Sequence, residues 1–322
     1  METVKWGIIG CGDVAEVKSG PAFQNVTGSE LIGVMRRNAE KAKDFAERHG
    51  VPIHTNNAED LLQHTDINAI YVATPPSTHL AYAKAALAAG KYVYLEKPMA
   101  LTSQEAGEIV TAVKNSDKKL SVAHYRRKLP AFEKVKALLD ESAIGSVLFA
   151  DIQILQPRNS DIVANSEENW RLNPTVSGGG YFYDLAPHQI DLMYHYFGAF
   201  EKIDGYATAQ KNKVEDTVNG IIQFESGVQF RGVWNFTAAD NYKKEECIIY
   251  GTLGSIRFSF YGDTVILNDR KGETVFEFKN PKHIQQPMIA AVVSYFLGNT
   301  ENPCPAEDGI TVMQAMEKLS GR

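Results

Sequence analysis

The 322-residue chain is 44% hydrophobic and carries 33 Lys and Arg against 39 Asp and Glu, a formal net charge of −6. That length suggests two domains with sizeable cores, and the acidic balance, relieved only by the short Arg126-Arg127-Lys128 run, argues against nucleic acid as a partner. Three widely spaced cysteines, Cys11, Cys247 and Cys304, exclude a disulfide scaffold, and no apolar stretch approaches the roughly 18 residues of a membrane span.

The first 120 or so residues alternate strand and helix signals. Apolar runs at 4–9, 31–35, 69–73, 92–95 and 120–123 predict strands, and helical patterns at 14–23, 39–48, 79–89 and 103–114 fall between them. Ser77 or Thr78 is placed to cap the Ala-rich helix that closes at Gly90. This β-α rhythm predicts a doubly wound parallel sheet, a dinucleotide-binding domain over 1–123. Beyond Pro130 the rhythm changes. A helix at 131–140, a strand at 147–154, an irregular stretch at 157–177 and a helix at 181–197 lead into β-rich text over 202–278, with strands at 218–224, 228–236, 246–250, 255–260, 264–267 and 274–278. Helices at 287–297 and 307–319 close the chain. The expected fold class is therefore α/β plus α+β. A second domain, 124–322, is built on a mostly antiparallel open sheet, and the C-terminal helix is a candidate to pack back on the first. No leader with a basic and then an apolar region precedes the first strand, so the expectation is a cytoplasmic protein.

The first strand runs into Gly10-Cys11-Gly12-Asp13-Val14-Ala15, a G-x-G-x-x-A fingerprint in the position where a dinucleotide pyrophosphate meets a helix start. The second strand usually ends in a carboxylate for the ribose 2′-hydroxyl, but here it ends in Arg36-Arg37-Asn38. Two guanidiniums would hold a 2′-phosphate, which favours NADP(H) over NAD(H); a solvated Arg pair opening a helix is the alternative.

Lys97 lies in Lys91-Tyr-Val-Tyr-Leu-Glu-Lys-Pro98, just past a buried strand, at the sheet edge where such folds place ligands. An exposed Glu96-Lys97 ion pair is the plain alternative. Further on, Ser177-Gly-Gly-Gly180-Tyr-Phe-Tyr-Asp184-Leu-Ala-Pro-His188-Gln-Ile-Asp191 sets a glycine run, able to approach a ligand closely, before a helix. Asp184 and His188 share a face of it, an arrangement suited to proton transfer near neutral pH. Asp191 and His195 continue the stripe. A metal site would need ligands from elsewhere, and no HExxH or CxxC supplies them, so no metal is expected and these two residues read as structural.

Gly10 to Ala15, Thr74-Pro75-Pro76-Ser-Thr-His79, Glu96-Lys97-Pro98, Trp170-Arg171 and the Gly178 to Asp191 pattern together resemble the Gfo/Idh/MocA oxidoreductase family, in order and over nearly the whole chain. The resemblance implies a Rossmann domain followed by an α/β domain whose open sheet often forms an oligomer interface, so a homo-oligomer, dimer or tetramer, is expected. It implies Lys97, Asp184 and His188 as the reactive groups. It places Thr74, Pro75, Pro76 and His79 along the cofactor, Glu96 and Pro98 around the Lys97 loop, and Trp170 and Arg171 over the nicotinamide side. Ala186-Pro187 departs from the family, in which a glycine commonly precedes the histidine by two.

The expected reaction moves a hydride between NADP(H), or NAD(H), and a secondary alcohol or ketone of a sugar, cyclitol or related diol. His188 would act as acid/base, Asp184 would orient it or bind substrate, and Lys97 would steady the developing alkoxide, or itself take the proton if burial beside an oxidised nicotinamide lowered its pKa. Tyr125, Tyr181 and Tyr183 could contact substrate. Arg126 and Arg127 could bind an acidic substrate, though charges at a helix start facing water are the expectation. A nucleotide-dependent ligand sensor and an enzyme that oxidises its substrate only transiently are the alternatives.

Overall fold

The computed structural model describes residues 2–158, 160, 162, 169–209 and 214–322. Residues Met1–Tyr125 with Pro281–Met313 form one compact unit, and Arg126–Asn280 with Gln314–Arg322 form another.

The first unit contains β1 (Val4–Ile9), β2 (Ser29–Met35), α1 (Ala39–His49), β3 (Ile53–Thr55), α2 (Ala58–Leu62), β4 (Ala69–Val72), α3 (His79–Ala88), β5 (Tyr92–Leu95), α4 (Ser103–Lys114) and β6 (Leu120–Val122). The strands form one parallel sheet in the order β3-β2-β1-β4-β5-β6, the doubly wound arrangement whose order reverses beside β1. Strands covered on both faces need apolar residues at every position, and β4 is buried throughout. Trp6, Phe23, Tyr71, Tyr94 and Phe296 pack as one aromatic cluster. Asn38 caps α1 by accepting from the Lys41 N–H, and Thr102 caps α4 by accepting from Glu105.

Two local expectations are corrected. The helix expected over 14–23 divides into a wide turn, Ala15–Ser19, and a 3-10 turn, Gly20–Gln24, because Pro21 cannot donate to a continuing ladder. Thr78 does not cap α3. Its hydroxyl lies 2.7 Å from Thr74 Oγ1 and 3.0 Å from the Pro75 carbonyl oxygen, closing a 3-10 turn instead.

The second unit contains α5 (Pro130–Asp140), β7 (Val147–Leu155), α6 (Pro174–Ser177), α7 (Tyr181–Phe197), β8 (Phe200–Thr208), β9 (Thr217–Phe224), β10 (Gln229–Asn235), β11 (Lys244–Gly251), β12 (Ser255–Phe258), β13 (Thr264–Asp269) and β14 (Gly272–Glu277). Its sheet runs β14-β13-β12-β11-β7-β10-β9-β8, antiparallel except where β7 and β10 lie parallel. The stretch expected to be irregular over 157–177 holds a 3-10 turn, Trp170–Leu172, and α6, while most of 159–168 lies outside the described residues.

One face of this sheet is the core. Ile152, Ile154, Ile222, Phe230, Trp234 and Ile249 are buried, and Phe182 of α7 meets the Trp234 ring edge-on at 5.2 Å. Gly205, Gly220 and Gly232 stand in register across β8, β9 and β10. A Cβ on Gly205 would lie 2.3 Å from the Leu319 carbonyl oxygen, and one on Gly232 2.3 Å from the Trp234 ring, so the row forms a trough filled by these two residues. Leu319 belongs to α9 (Ala306–Ser320), which follows α8 (Gln286–Leu297). The opposite face carries exposed Phe149, Tyr206 and Ile221, a stacked Phe149–Tyr250 pair and an Arg231–Asp151 ion pair.

Candidate active site

Loops from β1, β4 and β5 meet at the carboxyl edge of the first unit's sheet. Gly10 has φ +100°, and a Cβ there would come within 2.8 Å of the Ala73 and Thr74 backbone, so only glycine lets the two loops touch. The Gly10 and Cys11 N–H groups donate to the Met35 carbonyl at 2.9 and 3.1 Å, which ties the loop to β2 as well. A Cβ on Gly12 would meet nothing within 4 Å. That open space ahead of the turn Ala15–Ser19 fits a pyrophosphate, while buried Ala15 provides the close packing required of the third position. Asp13 is exposed and Val14 half-buried. Burial pushes the Cys11 thiol up to about 11, so it stays protonated beside the loop.

Arg36, half-buried at the end of β2, reaches the Cys11 carbonyl oxygen with Nη1 at 3.5 Å, and Arg37 is exposed. Thr74 and Pro75 are half-buried and Pro76 is buried. His79 is fully buried, with Nδ1 2.9 Å from the Pro98 carbonyl oxygen and Nε2 2.8 Å from that of Thr74. The ring thus fastens the loop after β4 to the turn after β5. Burial holds its pKa below the usual imidazole range, opposed by the Thr74 carbonyl, the Glu96 charge and the Pro98 carbonyl, and the neutral ring donates its single N–H to one of the two carbonyls at a time.

Lys97 is half-buried at the end of β5, and its bond to Pro98 is cis. Glu96 is buried and faces inward, which overturns the picture of an exposed ion pair. Its Oε1 accepts from the Tyr71 hydroxyl at 2.5 Å and from Gln285 Nε2 at 2.7 Å, and its Oε2 accepts from the Lys97 N–H at 3.1 Å. Tyr71 stays a donor because burial, reinforced by the Glu96 charge, drives its pKa well up. Tyr71, Tyr94, Ser19 and Gln285 were not singled out from the sequence. Two tyrosines in strands buried on both faces were the available signal, since each hydroxyl needs a partner there.

In the second unit, Asp184 and His188 lie four apart on α7, with His188 buried. Asp184 Oδ2 accepts from Arg171 Nε at 2.7 Å, and the Arg171 guanidinium lies 4.5 Å from the centre of the Trp170 ring. The turn Trp170–Leu172 therefore holds the carboxylate. At Gly179 the space a Cβ would need belongs to the Tyr183 ring, and at Gly180 to Val214, so these glycines admit the protein's own side chains. Tyr181 and Tyr183 are buried; the Tyr181 hydroxyl accepts from Asn169 Nδ2 at 2.7 Å, and that of Tyr183 is 3.2 Å from Ser320 Oγ.

Arg126 and Arg127 do not face water. They are 2% and 4% exposed: Arg126 donates to the Phe260 carbonyl and stacks on Tyr261, and Arg127 Nη2 donates to Asp191 Oδ1 at 2.6 Å while Nε donates to both carboxylate oxygens. The reason is desolvation, which a guanidinium survives indoors only with a bidentate or stacked partner. Tyr125, at the end of the first unit, is buried. Among the described residues, no group of three or more His, Cys, Asp and Glu could hold a metal, and no helix is long and apolar enough to cross a membrane.

Sheet order, glycine loop and carboxyl-edge lysine together define a Rossmann-type, nicotinamide-dependent oxidoreductase. The oxidoreductase family with an NAD-binding Rossmann fold, Gfo/Idh/MocA, matches residues 4–124, and the Gfo/Idh/MocA C-terminal domain matches residues 132–257. The chain belongs to that family. It is 52% identical to Oxidoreductase P35 of Formosa agariphila over 318 residues, covering 99% of this chain and 98% of the relative. It is 27% identical to 1,5-anhydro-D-fructose reductase of Ensifer adhaerens, covering 95% and 92%. Among solved structures, levoglucosan dehydrogenase in complex with NADH and levoglucosan shares the fold at TM-score 0.85 and 22% identity, covering 98% of this chain and 96% of that one.

Proposed function

We propose that this protein is an NADP(H)-preferring oxidoreductase acting on a secondary alcohol or ketone of a sugar, cyclitol or related diol. The observation that carries the reading is the fastening of three carboxyl-edge loops, with Gly10 against Thr74, His79 between Thr74 and Pro98, and Glu96 on the Lys97 N–H. The glycine loop would cradle the pyrophosphate, and Arg36 would meet the adenosine ribose, its position beside Cys11 supporting a 2′-phosphate. The nicotinamide, when bound, supplies the hydride acceptor or donor. Lys97 donates a hydrogen bond to the reacting oxygen and steadies its negative charge. His188 takes or returns the hydroxyl proton, and Asp184, held by Arg171, binds a neighbouring substrate hydroxyl. Exposed Tyr206 and Ile221 support self-association through the open sheet face, and three buried free cysteines suit a reducing cytoplasm.

Absorbance at the reduced-nicotinamide band tests this against 1,5-anhydro-D-fructose, levoglucosan, pyranoses, cyclitols and dihydrodiols. Net change is expected. Product without net change marks transient oxidation, and silence across the panel marks a sensor. Lys97→Ala should collapse turnover with NADPH affinity kept within severalfold, and unchanged turnover would remove Lys97 from the reaction. Arg36→Ala should weaken NADPH binding by about tenfold or more, and NADH binding by less. Equal losses would mean that Arg36 does not read the phosphate.

A further inference from the structure

Gln285 enters the first unit 189 positions after Glu96, and it is 1% exposed. Its amide is fixed on both sides: Oε1 accepts from the Tyr94 hydroxyl at 3.2 Å, and Nε2 donates to Glu96 Oε1 at 2.7 Å. Its backbone N–H donates to the Lys18 carbonyl, and its own carbonyl accepts from Ile289 as α8 begins. The Ser19 hydroxyl, one residue beyond Lys18, donates to the Tyr71 oxygen at 3.2 Å, and Tyr71 in turn donates to Glu96. A buried amide and carboxylate are a costly way to fill space, since apolar side chains of equal volume often stabilise as well or better. What this pair adds is direction. Glu96 has one oxygen gripped by two side-chain donors, so its other oxygen is aimed at the Lys97 N–H.

We infer that Gln285 is a positioning residue for Lys97. Through Glu96 it sets the turn that carries the lysine, and through Lys18 and Ser19 it couples that turn to the wide turn Ala15–Ser19 that leaves the glycine loop. The kinetic part rests on the proposed role of Lys97 at the reacting oxygen; the mechanical part does not.

The test uses the full chain with Gln285→Met and, separately, Tyr71→Phe, each of which removes one donor to Glu96 at nearly constant volume. Exchange of the Lys97 amide hydrogen, read without substrate, should speed up by about tenfold as its acceptor loosens. Unchanged exchange in both variants overturns the inference. With the polyol that the panel turns over fastest as probe, kcat should fall by about tenfold while KM for the cofactor stays within about twofold. A loss confined to KM overturns it. In a Lys97→Ala background, Gln285→Met should change the residual rate no further. A further multiplicative loss there would show Gln285 acting by another route while leaving the role of Lys97 intact, whereas full turnover by Lys97→Ala alone would sink the catalytic reading and leave amide exchange to decide the mechanical one. Should Gln285→Met fail to fold, Gln285→Asn, one methylene too short to span Tyr94 and Glu96, takes its place.

Discussion

Arg127 and Asp191 are almost wholly withdrawn from water, and what they do to their surroundings follows from that. Removing one partner takes the bidentate ion pair away from a buried charge, so Arg127→Met should cost about 3–5 kcal/mol in denaturant unfolding. A loss below 1 kcal/mol would mean that water reaches Asp191. His195, half-buried nearby, is held down to about 4 by burial and then by the Arg127 charge. The unfolded chain, with an imidazole near 6.5, therefore binds a proton that the folded chain refuses between about pH 6.5 and 4. Stability is complete above that window and falls as pH drops through it. Compared with His195→Gln, the protein should lose about 1–2 kcal/mol more on going from pH 7 to 4, allowing for screening by solvent; parallel curves would refute the shift. The sequence reads Asp191 and His195 as structural but does not show their partners, because Asp191 lies 64 positions from Arg127 and the Phe260 carbonyl 134 from Arg126. The glycine fingerprint was legible, because its six residues are contiguous and directly follow a strand.

At the scale of elements, the trough of Gly205, Gly220 and Gly232 decides where α9 can lie. Gly205→Val would drive a branched side chain into the Leu319 backbone and should cost about 1–3 kcal/mol. Amide exchange at the C-terminal turn of α9 should rise with it, and an unchanged turn would mean that the helix is anchored elsewhere. Most strands in both sheets followed from apolar runs and alternation, because burial on one face or two leaves a periodic trace, but the edge strands β3 and β8, none of whose residues is buried, leave none and were missed. The split at Gly20-Pro21 and the turn at Thr78 escaped that reading, since each depends on which carbonyl a donor can reach. Gln285 escaped as well: its amide bonds to Tyr94 and Glu96, about 190 positions away.

For the molecule as a whole, the open sheet face should make the protein self-associate, and Tyr206, at 82% exposure, and Ile221 are the residues to change. Sedimentation should report more than one chain per particle at micromolar concentration, and Ile221→Asp with Tyr206→Ser should shift it to a single chain; a monomeric unsubstituted protein would contradict the proposal. Chain order carries a separate consequence. Each unit is completed by residues that follow Asn280, with Gln285 and Cys304 finishing the first and Leu319, Ser320 and Arg322 the second. On a ribosome the glycine loop emerges well before residues 126–280, yet its unit has to wait through the synthesis of that whole segment before its last contacts can form. Such high contact order makes folding slow and leaves apolar surface open to chaperones during translation. A premature stop just after residue 280 would thus disable the nucleotide-binding end of the protein while leaving the codons of its fingerprint untouched.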